Sequence, residues 1–295
     1  MYKQIDSNKR KTVLLMTFFI AFVMLIGWIY GQVTDTGYAG LTGAFVISLG
    51  MTALSYYGGD KIALSTAGAV PITKEENPYV YRLVENLCLT AGLPIPKVHV
   101  IPDPAINAFA TGRDPQHASI AVTQGAIDKL ENEELEGVIG HELSHVKNYD
   151  IRLMMIVIVL VGIIALISDW MMRGFFWRKG GNERSRGQLG AVLLIVGVVM
   201  AILSPLIAQI IQLAVSRKRE YLADADGSLL TRYPAGLANA LEKIMNGKEA
   251  LRRANNATAH LYIANPFGPT KKFLSNLFST HPPIEDRIAK LRGMA

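Results

Sequence analysis

The sequence predicts a mainly α membrane protein, with four transmembrane helices carrying a cytoplasmic α+β domain that contains a small sheet. Three observations predict it. Half of the 295 residues are hydrophobic and only 18% are charged, against roughly a quarter charged in soluble domains. The apolar residues are gathered into four runs, at 13–30, 39–57, 153–167 and 189–215. The stretches 58–150 and 216–295 have the composition of soluble protein. The expected organisation is N-terminal transmembrane helices in 1–57, a first domain half in 58–150, a transmembrane hairpin in 151–215 and a second domain half in 216–295.

The first run carries no charge and approaches the roughly 20 residues a spanning helix needs. Lys3, Lys9, Arg10 and Lys11 precede it, whereas the connector 31–38 holds Asp35 and no Lys or Arg. A signal peptide also begins basic, but this run is too long and no convincing cleavage site follows, so an uncleaved anchor is expected. Basic residues before the run and none after it put the N-terminus in the cytoplasm. The second run returns the chain to that side.

In 58–150, Asn77 and Pro78 form a helix start, and Val80, Leu83, Val84 and Leu87 recur at helical spacing up to Gly92. The one cysteine, Cys88, lies in this pattern and fits as small core filler. Residues 97–101 and 118–122 predict short strands. A further helix opens with Asn132 as N-cap and Glu133, Glu134 and Glu136 in its first turn. Leu135, Val138, Ile139 and Val146 give that helix a partly apolar surface. Its pattern barely pauses before the third run, and an unbroken helix would set His145 roughly 12 Å from Leu153, near the membrane face.

The connector 168–188 holds Arg173, Arg178, Lys179, Arg184 and Arg186, which argues against an external position. The first span and the chemistry below outweigh it, with a re-entrant hairpin as the alternative. In the fourth run, Pro205 predicts a kink. Helix continues over 221–230, Pro234 starts or breaks another, 246–257 reads as a polar loop, and 284–291 as a short amphipathic helix. The basic residues behind the net charge of +6 sit beside the apolar runs. They therefore read as topology signals, and no nucleic-acid partner is expected.

The chemistry is concentrated in His141-Glu142-Leu143-Ser144-His145. Side chains at i and i+4 stand on one helical face, so both imidazoles can converge on one Zn²⁺ while Glu142 reaches a water beside it. A catalytic zinc normally takes a third protein ligand. Asn148 and Ile151 stand where a Gly and a His would complete the metzincin pattern, which excludes that class. The best remaining candidate is a carboxylate from a second helix, Glu220, with Asp224 on the same face to accept a hydrogen bond from a ligand imidazole. Two acids on a solvated helix face is the competing reading of that pair. Asn107, Ala108, Phe109 and Ala110 could present an edge strand that pairs with an extended peptide. His99, His117 and His260 receive no site role.

The run His141 to Asn148, followed after two apolar runs by Ser216-Arg217-Lys218-Arg219-Glu220-Tyr221-Leu222-Ala223-Asp224, resembles the HtpX-type membrane zinc metalloproteases. These are gluzincin relatives of the CAAX prenyl proteases. Residues 107–112 and 280–287 resemble further blocks of that family, and the similarity spans nearly the whole chain. The resemblance implies a gluzincin-type metalloprotease domain with one Zn²⁺ per chain held by His141, His145 and Glu220, and with Glu142 as general base. It also implies His281 as a donor to the oxyanion and Arg287 as a supporting residue. The implied activity is endoproteolysis of misfolded or damaged membrane proteins at the cytoplasmic face of the cell membrane. The expected partners are protein or peptide substrates and the bilayer; the oligomeric state is left open. Competing readings are a selective processing protease for a prenylated or signalling peptide, and a zinc-stabilised membrane scaffold. A transporter is disfavoured because four spans are few and no charged or broken segment stands at mid-membrane depth.

Overall fold

A computed structural model describes residues 2–33, 35–157, 159–160, 162, 217–247, 249–253, 258–267 and 282–294. The first two apolar runs lie within helices longer than the runs themselves, α1 (Tyr2–Val33) and α2 (Tyr38–Ala67). Both are long and apolar enough to cross a membrane. Val13, Leu14, Leu25 and Trp28 on α1, and Val46, Ile47 and Leu54 on α2, are exposed, an apolar surface that calls for lipid. The basic N-terminal segment is itself helical. At the other end, α2 runs past the expected boundary at 57/58, and Ala63, Leu64 and Ala67 are buried with Phe109, Leu153 and Tyr262.

The polar part follows the local signals closely. After β1 (Val70–Pro71), helix α3 (Pro78–Ala91) starts where the Asn77 side chain accepts from the Val80 N–H at 3.1 Å. It ends at Gly92, whose φ of +66° is left-handed. Cys88 is buried inside it, and burial pushes its thiol up to about 12. Strands β2 (Lys97–Ile101), β3 (Ala108–Gly112) and β4 (Ala118–Thr123) complete a sheet of order β1-β2-β4-β3. The β2–β4 pair is parallel and the other two are antiparallel, so the sheet is mixed and β3 is an edge strand.

Helix α4 (Gln124–Lys129) leads into α5 (Asn132–Lys147). Two expectations about α5 need correction. Its N-cap is Glu131, not Asn132: Glu131 and Glu134 form a reciprocal capping box, so Asn132 is already the first helical residue. Nor does the helix run on into the third apolar run. Asn148 caps it, Tyr149 takes a left-handed φ of +59°, and helix resumes at residues 150–157. The first part of that run is buried: Met155, Ile156 and Leu160 cluster with Phe19 of α1. The rest of the third run beyond residue 162, the connector 168–188 and the fourth run lie outside the described residues, and so does their expected hairpin.

After α5 the described helices are α6 (Arg217–Thr231), α7 (Pro234–Asn246) and α8 (Ile284–Arg292). α6 and α7, with α3 and β3, pack around α5, which is buried on all sides from Gly137 through Val146 and not along one stripe. The close approach depends on absent side chains. A Cβ on Gly137 would stand 2.6 Å from the Leu237 backbone nitrogen of α7, and one on Gly227 of α6 would stand 2.8 Å from the His141 nitrogen. Because backbone is in the way, neither contact can be relieved by a rotamer change. Gly227→Ala should therefore push α6 off α5, at a cost of about 1–3 kcal/mol. Thermal unfolding of the full chain in detergent checks this, with Gly43→Ala, whose Cβ would meet nothing within 4 Å, expected to lose nothing.

Candidate metal centre

α5 places the His141 and His145 Nε2 atoms 3.2 Å apart. α6 brings the Glu220 carboxylate to 3.7 Å from each Nε2. All three side chains are buried, and their ligand atoms lie within 4.8 Å of one another. Atoms held at about 2.0–2.2 Å from one tetrahedral zinc are separated by about 3.3–3.6 Å. The observed spacing fits that requirement with a shift of a few tenths of an ångström.

The imidazoles are oriented from behind. His141 Nδ1 lies 2.9 Å from Asp224 Oδ1, and His145 Nδ1 lies 3.1 Å from Asp150 Oδ2. A carboxylate only accepts, so both rings donate through Nδ1 and turn an Nε2 lone pair to the same small volume beside Glu220. An electron-rich, buried pocket of this kind fits a cation, and its donor set of two imidazoles and a carboxylate suits zinc.

Each carboxylate is held in turn by an arginine. Arg287 of α8, one of the most buried side chains, donates Nε to Asp224 Oδ2 at 2.9 Å and Nη2 to Oδ1 at 2.6 Å. Its Nη1 donates to the Ile263 carbonyl at 2.9 Å. Arg219 Nη1 donates to Asp150 Oδ1 at 3.1 Å. Burial raises the cost of charge on Asp224, but Arg287 and the His141 hydrogen bond outweigh it and hold the carboxyl down at about 2. The two histidines differ. Burial dominates at His141 and lowers it to about 4 despite Asp224. Burial also opposes a proton on His145, but the Asp150 hydrogen bond and the Glu220 charge prevail and raise it to about 9.

Glu142 lies beside this group and is buried. Burial pushes its carboxyl up to about 7, with Glu220 adding to the rise, against the opposing effects of His145 and of the Ala110 backbone hydrogen bond. Its Oε1 has no hydrogen-bond partner among the described residues. A buried acid with one unsatisfied oxygen and a carboxyl that titrates near neutrality is suited to receive and release a proton.

The expected substrate strand is at the sheet edge, but its first residues are already engaged. Asn107 donates its amide to the Ala264 carbonyl at 3.2 Å and accepts from the Ala108 N–H at 3.1 Å. The Ala108 carbonyl accepts from the Ile263 N–H at 3.1 Å. Phe109 is buried, with its ring edge-on to Tyr262 at 5.2 Å between centroids. Ala110 is the residue whose backbone reaches the site, at Glu142. His281 lies outside the described residues. His99 and His260 are buried but do not belong to the His141–His145–Glu220 group, and His117 pairs with Asp114 at 2.6 Å near the surface. The sequence reading missed Asp150 and Arg219. Its one available signal was symmetry: if Asp224 orients one ligand imidazole, the other also needs an acceptor.

The family model described as Peptidase family M48 matches residues 74–295. The chain belongs to peptidase family M48, among its HtpX-type members. It is therefore a metalloprotease, a hydrolase acting on peptide bonds. A "Protease HtpX homolog" of Dictyoglomus thermophilum is 44% identical over 293 residues, covering 99% of this chain and 94% of that one. Relatives of the same description from Caldanaerobacter subterraneus subsp. tengcongensis and Lactobacillus acidophilus are 42% and 43% identical, and each alignment covers 100% of this chain. These cover 98% and 100% of the respective relatives. Among solved structures, a crystal structure of S. mikatae Ste24p shares the fold, with a TM-score of 0.51 at 16% identity over 99% of this chain and 67% of that one.

Asp224→Asn and Asp150→Asn should each weaken zinc binding by on the order of 10–100-fold, the usual consequence of removing a partner that orients a ligand imidazole. Competition against a chelator of known affinity measures it.

Proposed function

We propose that this M48 protease is a multi-pass membrane endopeptidase of protein quality control, with one zinc ion per chain held by His141, His145 and Glu220. The observation that carries the reading is the convergence of those three side chains, with the buried Glu142 carboxyl beside them. A zinc ion there would supply Lewis acidity toward the scissile carbonyl and the attacking water. Glu142 accepts the water's proton at its unpaired Oε1 and returns it to the leaving amine. Asp224 and Asp150 keep the two imidazoles in one tautomer, and Arg287 keeps Asp224 in place. His281, by the family resemblance, donates to the developing oxyanion. An extended peptide adds to the β3 edge beyond Ala108, where the strand is not already paired with Ile263, so that Ala110 lies beside the scissile bond.

The chain carries four spans, with the N-terminus and the protease domain in the cytoplasm. Lys3, Lys9, Arg10 and Lys11 before the first run support that orientation. Convergence of His145 and Glu220 on one site supports a membrane hairpin between them, since the intervening chain must start and end on the same side. Clearance of misfolded membrane proteins accords with the name the relatives carry. A selective processing role would use identical chemistry and differ only in what reaches the edge strand.

Glu142→Gln should retain about one zinc per chain and lose at least on the order of a hundredfold in cleavage of an unfolded protein such as casein. Protein would be prepared with a metalloprotease inhibitor and assayed after its removal. Full activity in that variant would refute the role given to Glu142. Zinc in both proteins with cleavage in neither would point to a narrow-specificity protease or a scaffold. Orientation is tested separately by cysteine labelling in intact cells. Cys88 is buried, so cysteines introduced at Asp35 and at Arg178 should both react with an impermeant reagent from outside, and one at Lys74 should not.

A further inference from the structure

Asn8 is buried to 1% exposure, while its neighbours Lys9, Arg10 and Lys11 are exposed. A buried asparagine needs partners for its amide, and Asn8 finds them across the break that ends the metal-bearing helix. Its Nδ2 carries two protons, which have two acceptors. The Asn148 carbonyl, at the cap of α5, is 2.9 Å away, and Asp150 Oδ1, at the start of the next helix, is 2.7 Å away. Its Oδ1 in turn accepts from Arg219 Nη1 at 3.4 Å.

Asp150 is thereby held at both oxygens. Oδ1 takes Asn8 and Arg219, and Oδ2 faces His145 Nδ1 at 3.1 Å. Loss of Asn8 would leave the Asn148 carbonyl without that donor and free the carboxylate to turn toward Arg219, away from the imidazole. We propose that Asn8, on the N-terminal membrane helix, is a positioning residue of the metal centre that acts through Asp150 on the ring of His145. The proposal rests on the zinc-protease reading above. It adds that the metal site is incomplete without a residue from the first membrane helix.

The competing role for Asn8 is simple docking of α1 against the domain, and Thr12 separates the two. Thr12 lies one turn further on the same helical face, is 3% exposed, and donates to the Asn8 carbonyl at 2.9 Å. Thr12→Val therefore perturbs the docking face without removing a donor from Asp150.

The test uses the full chain in detergent on a Glu142→Gln background, which stops self-cleavage. Metal is stripped, zinc is titrated against a competing chelator, and the cobalt-substituted protein is recorded for its visible d–d bands. Asn8→Leu should weaken zinc binding by on the order of tenfold, the lower end of the range for a lost orienting partner, and should shift the cobalt bands. Thr12→Val should do neither. If Asn8→Leu does not fold, Asn8→Ser carries the same comparison, with a smaller loss because it keeps one donor. Parent-like zinc affinity and cobalt bands in the Asn8 variant would overturn the proposal, as would an equal loss in Thr12→Val. Failure of the protease reading itself would show earlier and separately, as no stoichiometric zinc in the Glu142→Gln parent.

Discussion

The centre of this molecule depends on holding two buried imidazoles with their Nδ1 protons fixed and their Nε2 lone pairs converging. The same device is used twice. His141 is held by Asp224 and Arg287, and His145 by Asp150 and Arg219. Four charged residues in a dry interior are a poor source of stability, because removing each ion from water costs several kcal/mol that its partner barely returns. Breaking one pair is worse, at about 3–5 kcal/mol, since a charge is then left buried alone. The arrangement is thus costly to make and costlier to disturb. What it contributes is orientation: neither ring can rotate or change tautomer without breaking a charge-assisted hydrogen bond. The charges that raise proton affinity at His145 also favour a metal cation at Nε2, so proton and cation compete for one position.

That constraint explains the packing around α5. A helix carrying His141, Glu142, Ser144 and His145 would ordinarily turn its polar side to water. Here that side is enclosed, so its polar groups must be met from other elements, and among the described residues only Glu142 Oε1 on that side is not. α6 supplies Glu220, Asp224 and Asp226, and α8 supplies Arg287. Such reach is short, because a carboxylate extends only a few bonds from its backbone. The backbones must therefore come close, and Gly227 against His141 and Gly137 against Leu237 are where they do. The glycines and the ionic relays are two parts of one solution: without the first, the second cannot form.

The parts of the site that were legible in the sequence are those encoded within one or two turns of helix. His141, Glu142 and His145 are local by construction, and Glu220 with Asp224 repeats the same i, i+4 logic on a second helix. Helix α3 was legible for a similar reason, since Asn77, Pro78 and Gly92 act on their own backbone. Asp150 and Arg219 were not legible, because their roles exist only once α6 folds back beside the end of α5. The burial of α5 from Gly137 to Val146 was not legible, because its polar side looks like a solvent face until its partners are known. The break at Tyr149 left no trace either. A left-handed tyrosine carries none of the signals of a glycine or proline, and its conformation is held by the hydrogen bonds of Asn148 and Asn8 around it. Asn8 lies among lysines and an arginine that draw the reading toward membrane orientation, and nothing local marks its amide as buried.

The N-terminal helix has to satisfy two environments along one length, and this fixes its depth. Toward one face, Asn8, Thr12 and Phe19 are buried against the domain and the helix that follows Asp150; toward the other, Val13, Leu14, Leu25 and Trp28 are exposed and apolar. Sliding α1 by one turn, about 5.4 Å, would take Asn8 away from Asp150 and leave the buried acid facing Thr12 or an apolar side chain. It would also move the lysines and arginine next to Asn8 relative to the lipid-facing band. The polar contact therefore sets the register of α1 against the protease part, and the apolar band sets the register of α1 against a bilayer. The two registers share one rigid helix, so the buried Asn8–Asp150 contact and the exposed apolar band that begins at Val13 are locked together by the short distance between them along α1.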